Sequence, residues 1–231
     1  WLEGGAGDDR FVLTDAAAGD VVVFGGSAGE ATGDVLDMSA MTGDVTVNFS
    51  GPEAGTATHA GGSAIFDDIE QIVLGSGDDS VIGSTAADSI TPGAGADRID
   101  AGAGDDRINL GNDGATDTLI FGDGDGDDRI IGFEAPIDNG DGTWTGRDLI
   151  DVSDLTDAQG NPVNTADATV TDDGFGNAVI SFPNGESLTL LGIAPAAVSA
   201  PGALQAMGIP PAPDFTVEGT AGDDVIGTWY T

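Results

Sequence analysis

Residues Leu74–Asn109 read as four consecutive blocks of nine: L-G-S-G-D-D-S-V-I, G-S-T-A-A-D-S-I-T, P-G-A-G-A-D-R-I-D and A-G-A-G-D-D-R-I-N. The sixth place of every block is an aspartate (Asp79, Asp88, Asp97, Asp106) and the eighth is aliphatic (Val81, Ile90, Ile99, Ile108). Three of the four blocks have glycine at places two and four; the other has Ser84 and Ala86 there. A fixed period that holds both a carboxylate and an apolar residue marks a repeat architecture, and it is read before any local propensity.

The shape of one block follows from its residues. Alternate glycines admit positive φ, so the backbone turns tightly with its carbonyls facing inward. The block's tail is a minimal strand whose central side chain points to one face. Each block turns the chain once, so two blocks make one coil of a flattened solenoid, and turns two blocks apart stack on the same edge. Asp79 then lies over Asp97 and Asp88 over Asp106, while the four aliphatic residues stack as ladders in a thin core. Carboxylates held this close, among converging carbonyls, repel unless a cation lies between them. Ca²⁺, a hard ion that takes about six to eight oxygens in a flexible cage, suits the arrangement.

The pattern G-G-x-G-x-D-x-U-x, with U aliphatic, resembles the calcium-binding nonapeptide of the RTX (repeats-in-toxin) family. The resemblance runs over 74–131 and returns at 4–12 (G-G-A-G-D-D-R-F-V) and 219–227 (G-T-A-G-D-D-V-I-G). It implies an all-β fold, a parallel β-roll with several Ca²⁺ ions in its turns, flanked and capped by strands and a hairpin. In the family, one turn gives the carbonyls of places two and four plus its aspartate. The turn two blocks on gives the carbonyls of places one and three plus its own aspartate. The resemblance thus implies a first site at Gly75, Gly77, Asp79, Pro92, Ala94 and Asp97. A second falls at Ser84, Ala86, Asp88, Ala101, Ala103 and Asp106, in a block that departs from the glycine pattern. Gly93, Gly95, Gly102 and Gly104 hold the same places in the later blocks. Asp117, Asp128, Asp9 and Asp224 are the corresponding aspartates of the looser repeats.

Acidic residues number 41 against 5 basic ones in 231, a net charge of −36. That balance argues against nucleic acid and anionic membrane as partners and favours cations. With 39% of residues apolar and periodic, the chain has the means to fold when a cation is present, and the repeat block is expected to be disordered without one. There is no cysteine, which fits a secreted protein that does without disulfides. No apolar run approaches the ~20 residues of a membrane span.

Five regions are expected: 1–60, an N-terminal β region with one repeat-like turn; 61–133, the roll; 134–195, a β-rich cap; 196–214, a Pro/Ala linker with a short helix at 202–207; and 215–231, the start of a further turn. Asp34–Thr42 and Asp148–Thr156 share the form D-U-U-D-U-S-x-U-T, which reads as a duplicated strand-and-turn unit flanking the repeats. Val45–Phe49 alternates as a strand and leads into a Gly/Thr/Ala-rich loop that holds His59, the single histidine. Ala64–Leu74 reads as a strand continuing the roll. Asp117 and Asp128 follow Asp106 at intervals of eleven, as repeats with lengthened turns. Asp123–Glu134 also resembles an EF-hand loop, although Asp128 stands where that loop needs glycine and the flanks do not look helical. Val179–Phe182 and Ser187–Leu191 flank a Pro-Asn-Gly turn, a hairpin suited to capping a roll. Arg10, Arg98, Arg107 and Arg129 directly follow repeat aspartates and are expected to lean outward and screen the acidic edge.

No catalytic constellation is present: a lone loop histidine supports no triad, and the paired carboxylates recur with the turn period. The expectation is a non-enzymatic calcium-binding module of a large secreted or surface bacterial protein, with a structural or adhesive role. The alternative is the secretion and folding module of an extracellular hydrolase or polysaccharide-modifying enzyme. The opening within a repeat suggests a piece of a longer chain. The resemblance implies export by type I secretion machinery. A cell-surface glycan and further copies of the chain are the other candidate partners; Glu3–Asp9 nearly matches Glu218–Asp224, as tandem units would.

Overall fold

The computed structural model describes residues 1–15 and 19–213. The tails of the four blocks are strands, Ser80–Ser84, Ser89–Thr91, Arg98–Gly102 and Arg107–Asn109. They alternate between two nine-stranded sheets and pair in parallel within each. Val81 pairs with Ile99 and Ile90 with Ile108, an offset of two blocks, so two nonapeptides make one coil.

The lengthened turns keep this register. Leu119 of Thr118–Ile120 pairs with Ile99, and Ile130 of Asp127–Ile131 pairs with Ile108, so the added residues bulge from the turns. One ladder runs Val47–Val81–Ile99–Leu119–Ile150 and the other Leu36–Ile72–Ile90–Ile108–Ile130–Leu190. All of these side chains are buried. Each such burial is worth about 1.5–3 kcal/mol, so the ladders carry much of the core, with Phe66 and Phe121 buried beside them. Strands from 1–60, 61–133 and 134–195 join the same two sheets and one core.

Several segments differ from the sequence reading. Ala64–Leu74 is two strands, Gly62–Asp67 in one sheet and Gln71–Val73 in the other. The turn between them is only Asp68–Glu70, and it closes because Asp68 takes a left-handed φ of +53°. The Gly/Thr/Ala-rich loop is the strand Ala54–His59, antiparallel to both Thr46–Gly51 and Gly62–Asp67. Its alternation buries Gly55 and Ala57, and the small side chains let the hairpin lie flat on the core. The stretch expected as a linker packs instead. It forms helices Pro195–Val198 and Pro201–Ala206, each opened by a proline that has no N–H to leave unpaired. Val198, Ala203, Leu204, Met207 and Ile209 are buried there. Residues 215–231, expected to begin a further turn, lie outside the described residues.

The expected hairpin is present, Ala178–Ser181 against Ser187–Leu191, with Thr169–Asp172 as a third antiparallel strand. Ser187–Leu191 pairs in parallel with Asp127–Ile131, so the hairpin covers what would be an open roll edge. The two D-U-U-D units adopt one local structure on opposite sheets. Ser39 N–H donates to Asp37 Oδ1 at 2.9 Å and Ser153 N–H to Asp151 Oδ1 at 3.1 Å. Thr42 Oγ1 donates to Asp15 at 2.8 Å and Thr156 Oγ1 to Asp123 at 2.6 Å.

Candidate metal centres

The register places the repeat aspartates in two files, one along each edge of the roll. On one edge Asp79, Asp97, Asp117 and Asp148 each stand just before a paired strand residue (Ser80, Arg98, Thr118, Leu149). Each reaches back one coil. Asp97 Oδ1 accepts the Asp79 N–H at 2.7 Å, Asp117 Oδ1 the Asp97 N–H at 2.9 Å, and Asp148 Oδ1 the Asp117 N–H at 3.1 Å. Asp79 Oδ1 accepts from Val45 N at 2.7 Å. On the other edge Asp106 Oδ1 accepts the Asp88 N–H at 2.7 Å and Asp128 Oδ1 the Asp106 N–H at 2.9 Å. One oxygen of each of these acceptor carboxylates therefore splints neighbouring coils, whereas Asp88 bonds within its own turn.

The second oxygen is the chemically telling one. Oδ2 of Asp79, Asp97 and Asp106 is buried with no hydrogen-bond partner, on side chains only 1–2% exposed. Burial pushes these carboxyls up, to about 7 for Asp79, about 6 for Asp97 and about 7 for Asp106. Asp117 and Asp128 rise for the same reason, to about 7 and about 8. Neighbouring carboxylates add to the rise, Asp97 against Asp79 and Asp106 against Asp128, and the backbone N–H bonds partly oppose it. A buried, unpaired carboxylate oxygen is expensive at neutral pH, and a bound cation removes that cost.

The turn backbones supply further oxygens. A Cβ at Gly93, where φ is +111°, would stand 2.0 Å from the Gly75 carbonyl oxygen, and one at Gly95 2.1 Å from that of Gly77. Glycine at these places lets the carbonyls of one coil press against the next. On the other edge Gly102 and Gly104 lie in the same way against the Ser84 and Ala86 carbonyls. The Gly75 carbonyl accepts one N–H, from Ala94 at 2.8 Å, and the Ser84 carbonyl one from Ala103 at 3.1 Å, which leaves a lone pair on each. Among the described residues no three acidic, histidine or cysteine side chains cluster as a metal-ligand set. A cation in these turns would rest on two carboxylates and on carbonyls.

Gly75, Gly77, Asp79, Pro92, Ala94 and Asp97 thus come together in consecutive turns of one edge. Ser84, Ala86, Asp88, Ala101, Ala103 and Asp106 come together on the other, with a difference. Ser84 N–H donates to Asp88 Oδ2 at 2.7 Å and Ser84 Oγ to Asp88 Oδ1 at 3.2 Å, so both oxygens of Asp88 are engaged. Asp117 extends the first file one coil beyond Asp97, and Asp128 the second one coil beyond Asp106. Asp9 heads the second file: its N–H donates to Asp34 Oδ1 at 2.7 Å, Arg10 after it pairs with Val35, and its Oδ2 is buried without a partner. Asp224 lies outside the described residues. Asp34, Glu70 and Asp148 occupy file positions that the nine-residue period did not find. Their signal is the apolar residue two places on (Leu36, Ile72, Ile150), shared with every repeat aspartate. The fifth-place acids also stitch coils: Asp78 Oδ1 accepts from Ala96 N at 2.9 Å and Asp105 Oδ1 from Asp127 N at 3.2 Å. Of the arginines, Arg10 pairs with Asp37 at 2.6 Å and Arg98 approaches Asp151 at 3.8 Å.

Two-block register, glycine turns and filed aspartates define the fold as a parallel β-roll. A family model described as the RTX calcium-binding nonapeptide repeat (4 copies) matches residues 73–108 and 82–117. The chain therefore carries RTX calcium-binding repeats, and calcium is the ion those repeats bind. Among solved structures, the extracellular lipase LipA from Serratia marcescens is 18% identical with a TM-score of 0.31, over 87% of this chain and 37% of that one. The chain thus spans little more than a third of that lipase. No curated protein matches the sequence.

Proposed function

We propose that the chain is a calcium-dependent folding module of a secreted or surface-exposed bacterial protein, structural or adhesive in role and without catalysis of its own. The observation that carries this reading is the row of buried, partnerless carboxylate oxygens on Asp79, Asp97 and Asp106. Asp79 and Asp97, with the carbonyls of Gly75, Gly77, Pro92 and Ala94, hold one ion. Asp106, with the Ala101 and Ala103 carbonyls, serves the other edge, and the engaged Asp88 makes that centre the weaker one. Calcium neutralises the stacked carboxylates and fixes the turns, so binding energy becomes folding energy. Extracellular modules bind calcium at roughly 0.1–1 mM. Such a chain stays unfolded where calcium is scarce and folds where it is plentiful, as suits export before folding.

The test is far-UV circular dichroism of the metal-stripped chain through a calcium titration, with magnesium as the control. A cooperative coil-to-β transition with calcium alone is expected. A chain already folded in chelator and indifferent to calcium would overturn the reading.

A further inference from the structure

Outside the nonapeptide array, one coil crossing is built differently. The turn Gly25–Asp34 is wide, and the turn stacked on it, Asp68–Glu70, is too short to offer a row of glycine carbonyls. Even so, oxygens converge there. Asp34 is fully buried (0% exposed); its Oδ1 takes the Asp9 N–H and its Oδ2 has no partner. A Cβ at Gly25 would stand 2.0 Å from Asp34 Oδ2 and 1.8 Å from the Asp68 carbonyl oxygen, so both oxygens face one small space. The Asp68 carbonyl accepts no hydrogen bond among the described residues, and the left-handed φ of Asp68 accompanies this placement. Glu30 Oε1, from the wide turn, is a further buried oxygen without a partner.

The wide turn is held in place from both sides. Asp8 accepts the Ala31 N–H at 2.8 Å and the Thr32 hydroxyl at 2.8 Å, Glu70 accepts the Asp34 N–H, and Gln71 Nε2 donates to the Thr32 carbonyl at 2.8 Å. Two acceptor oxygens facing each other with no donor between them repel, and a pinned turn cannot relax them apart.

We propose that the wide turn Gly25–Asp34 and the short turn Asp68–Glu70 hold a divalent cation of their own on Asp34 Oδ2 and the Asp68 carbonyl, with Glu30 alongside. All the donors are hard oxygens and the geometry is irregular, so the ion is calcium, with water completing its shell. The ligand set differs from that of the repeats: a glutamate and a left-handed aspartate carbonyl replace the glycine carbonyls. Glu70, Asp34, Asp68 and Glu53 all push the Glu30 carboxyl upward after its own desolvation, which agrees with a site short of positive charge.

Equilibrium dialysis of the full chain against calcium tests this. Asp34→Asn keeps the side chain's shape and its acceptor for Asp9 N–H. It is expected to bind one calcium fewer per chain, while Asp97→Asn retains this ion and weakens the array. Glu30→Gln, at the rim of the turn, is expected to weaken one ion about tenfold with an unchanged circular dichroism spectrum at saturating calcium; it carries the test if Asp34→Asn fails to fold. An unchanged count and affinity in a folded variant, Asp34→Asn or Glu30→Gln, would overturn the site and mean that a proton separates the two oxygens. If the unsubstituted chain binds no calcium, the folding-module reading fails as well; if only the variants behave as the unsubstituted chain does, this site alone fails.

Discussion

Asp97 shows how one residue serves two ends. Its Oδ1 splints the coil before it through the Asp79 N–H, and its Oδ2 faces the turn without a partner. Asp97→Asn keeps an acceptor for the splint and removes the charge. The calcium midpoint should rise about tenfold or more, with the same β spectrum at saturation, because ligand charge count sets affinity in such cages. Asp79, Asp97, Asp106, Asp117 and Asp128 also fix the sign of a pH effect. Their folded values, about 6 to about 8, lie above the ordinary 3.8, so the metal-free fold binds more protons than the unfolded chain. That stabilisation is fully present below the unfolded value and is lost as pH rises through 6 to 8. In chelator the coil should therefore gain β structure, read by far-UV circular dichroism, as pH falls from 8 to 5. With calcium the trend should reverse, because the ion competes with the protons, and proton release on binding should be measurable by calorimetry in buffers of different ionisation enthalpy. A metal-free chain that gains β structure toward pH 8 instead would contradict this picture of the buried carboxyls.

At the scale of the element, the turn and not the strand is the demanding part. Strands of three residues such as Ser89–Thr91 need only one aliphatic side chain, and Ile90 provides it. Turns need glycine where the next coil presses close. Gly93→Ala adds a Cβ 2.0 Å from the Gly75 oxygen in a left-handed backbone, whereas Gly114→Ala, at φ +84°, meets nothing within 4 Å. The second substitution should cost about 1–2 kcal/mol from backbone strain alone. The first should cost several times that or abolish the calcium-induced transition, as chemical denaturation in saturating calcium would show. Equal losses would mean that the turns are not in contact. This contrast also marks a limit of pattern reading. The short turn Asp68–Glu70 has no glycine and no period, so the break of Ala64–Leu74 into two strands is visible only once Ile72 is seen to pair with Leu36 and Ile90.

The whole molecule has two ends to protect. The hairpin Ala178–Leu191 covers the Asp127–Ile131 edge, and Leu190 completes the ladder on Ile130. A chain ending at Ile131 would leave Thr118–Ile120 and Asp127–Ile131 as open parallel edges. Light scattering in calcium should then show self-association, or the melt should fall well below that of the full chain, since unpaired edges recruit other strands. A truncated monomer as stable as the full chain would assign the cap no role. The two helices from 195 to 206 belong to this closure, because Val198 and Leu204 join the common core.

The sequence alone determined the coil. A nine-residue period with aspartate at place six and an aliphatic residue at place eight admits one stacking, and the register of Val81 on Ile99 and Ile90 on Ile108 follows from it. The same period marked the buried carboxylates of the turns, because charge and hydrophobicity are written at fixed places when every coil repeats the one before. Only the tertiary structure decided which irregular segments join those coils. It folded Ala54–His59 into a sheet, turned a Pro/Ala stretch into buried helices, and carried Asp34, Glu70 and Asp148 into the files. Those positions depend on which strand lies beside which, and pairing between segments far apart in the chain leaves no local period to read.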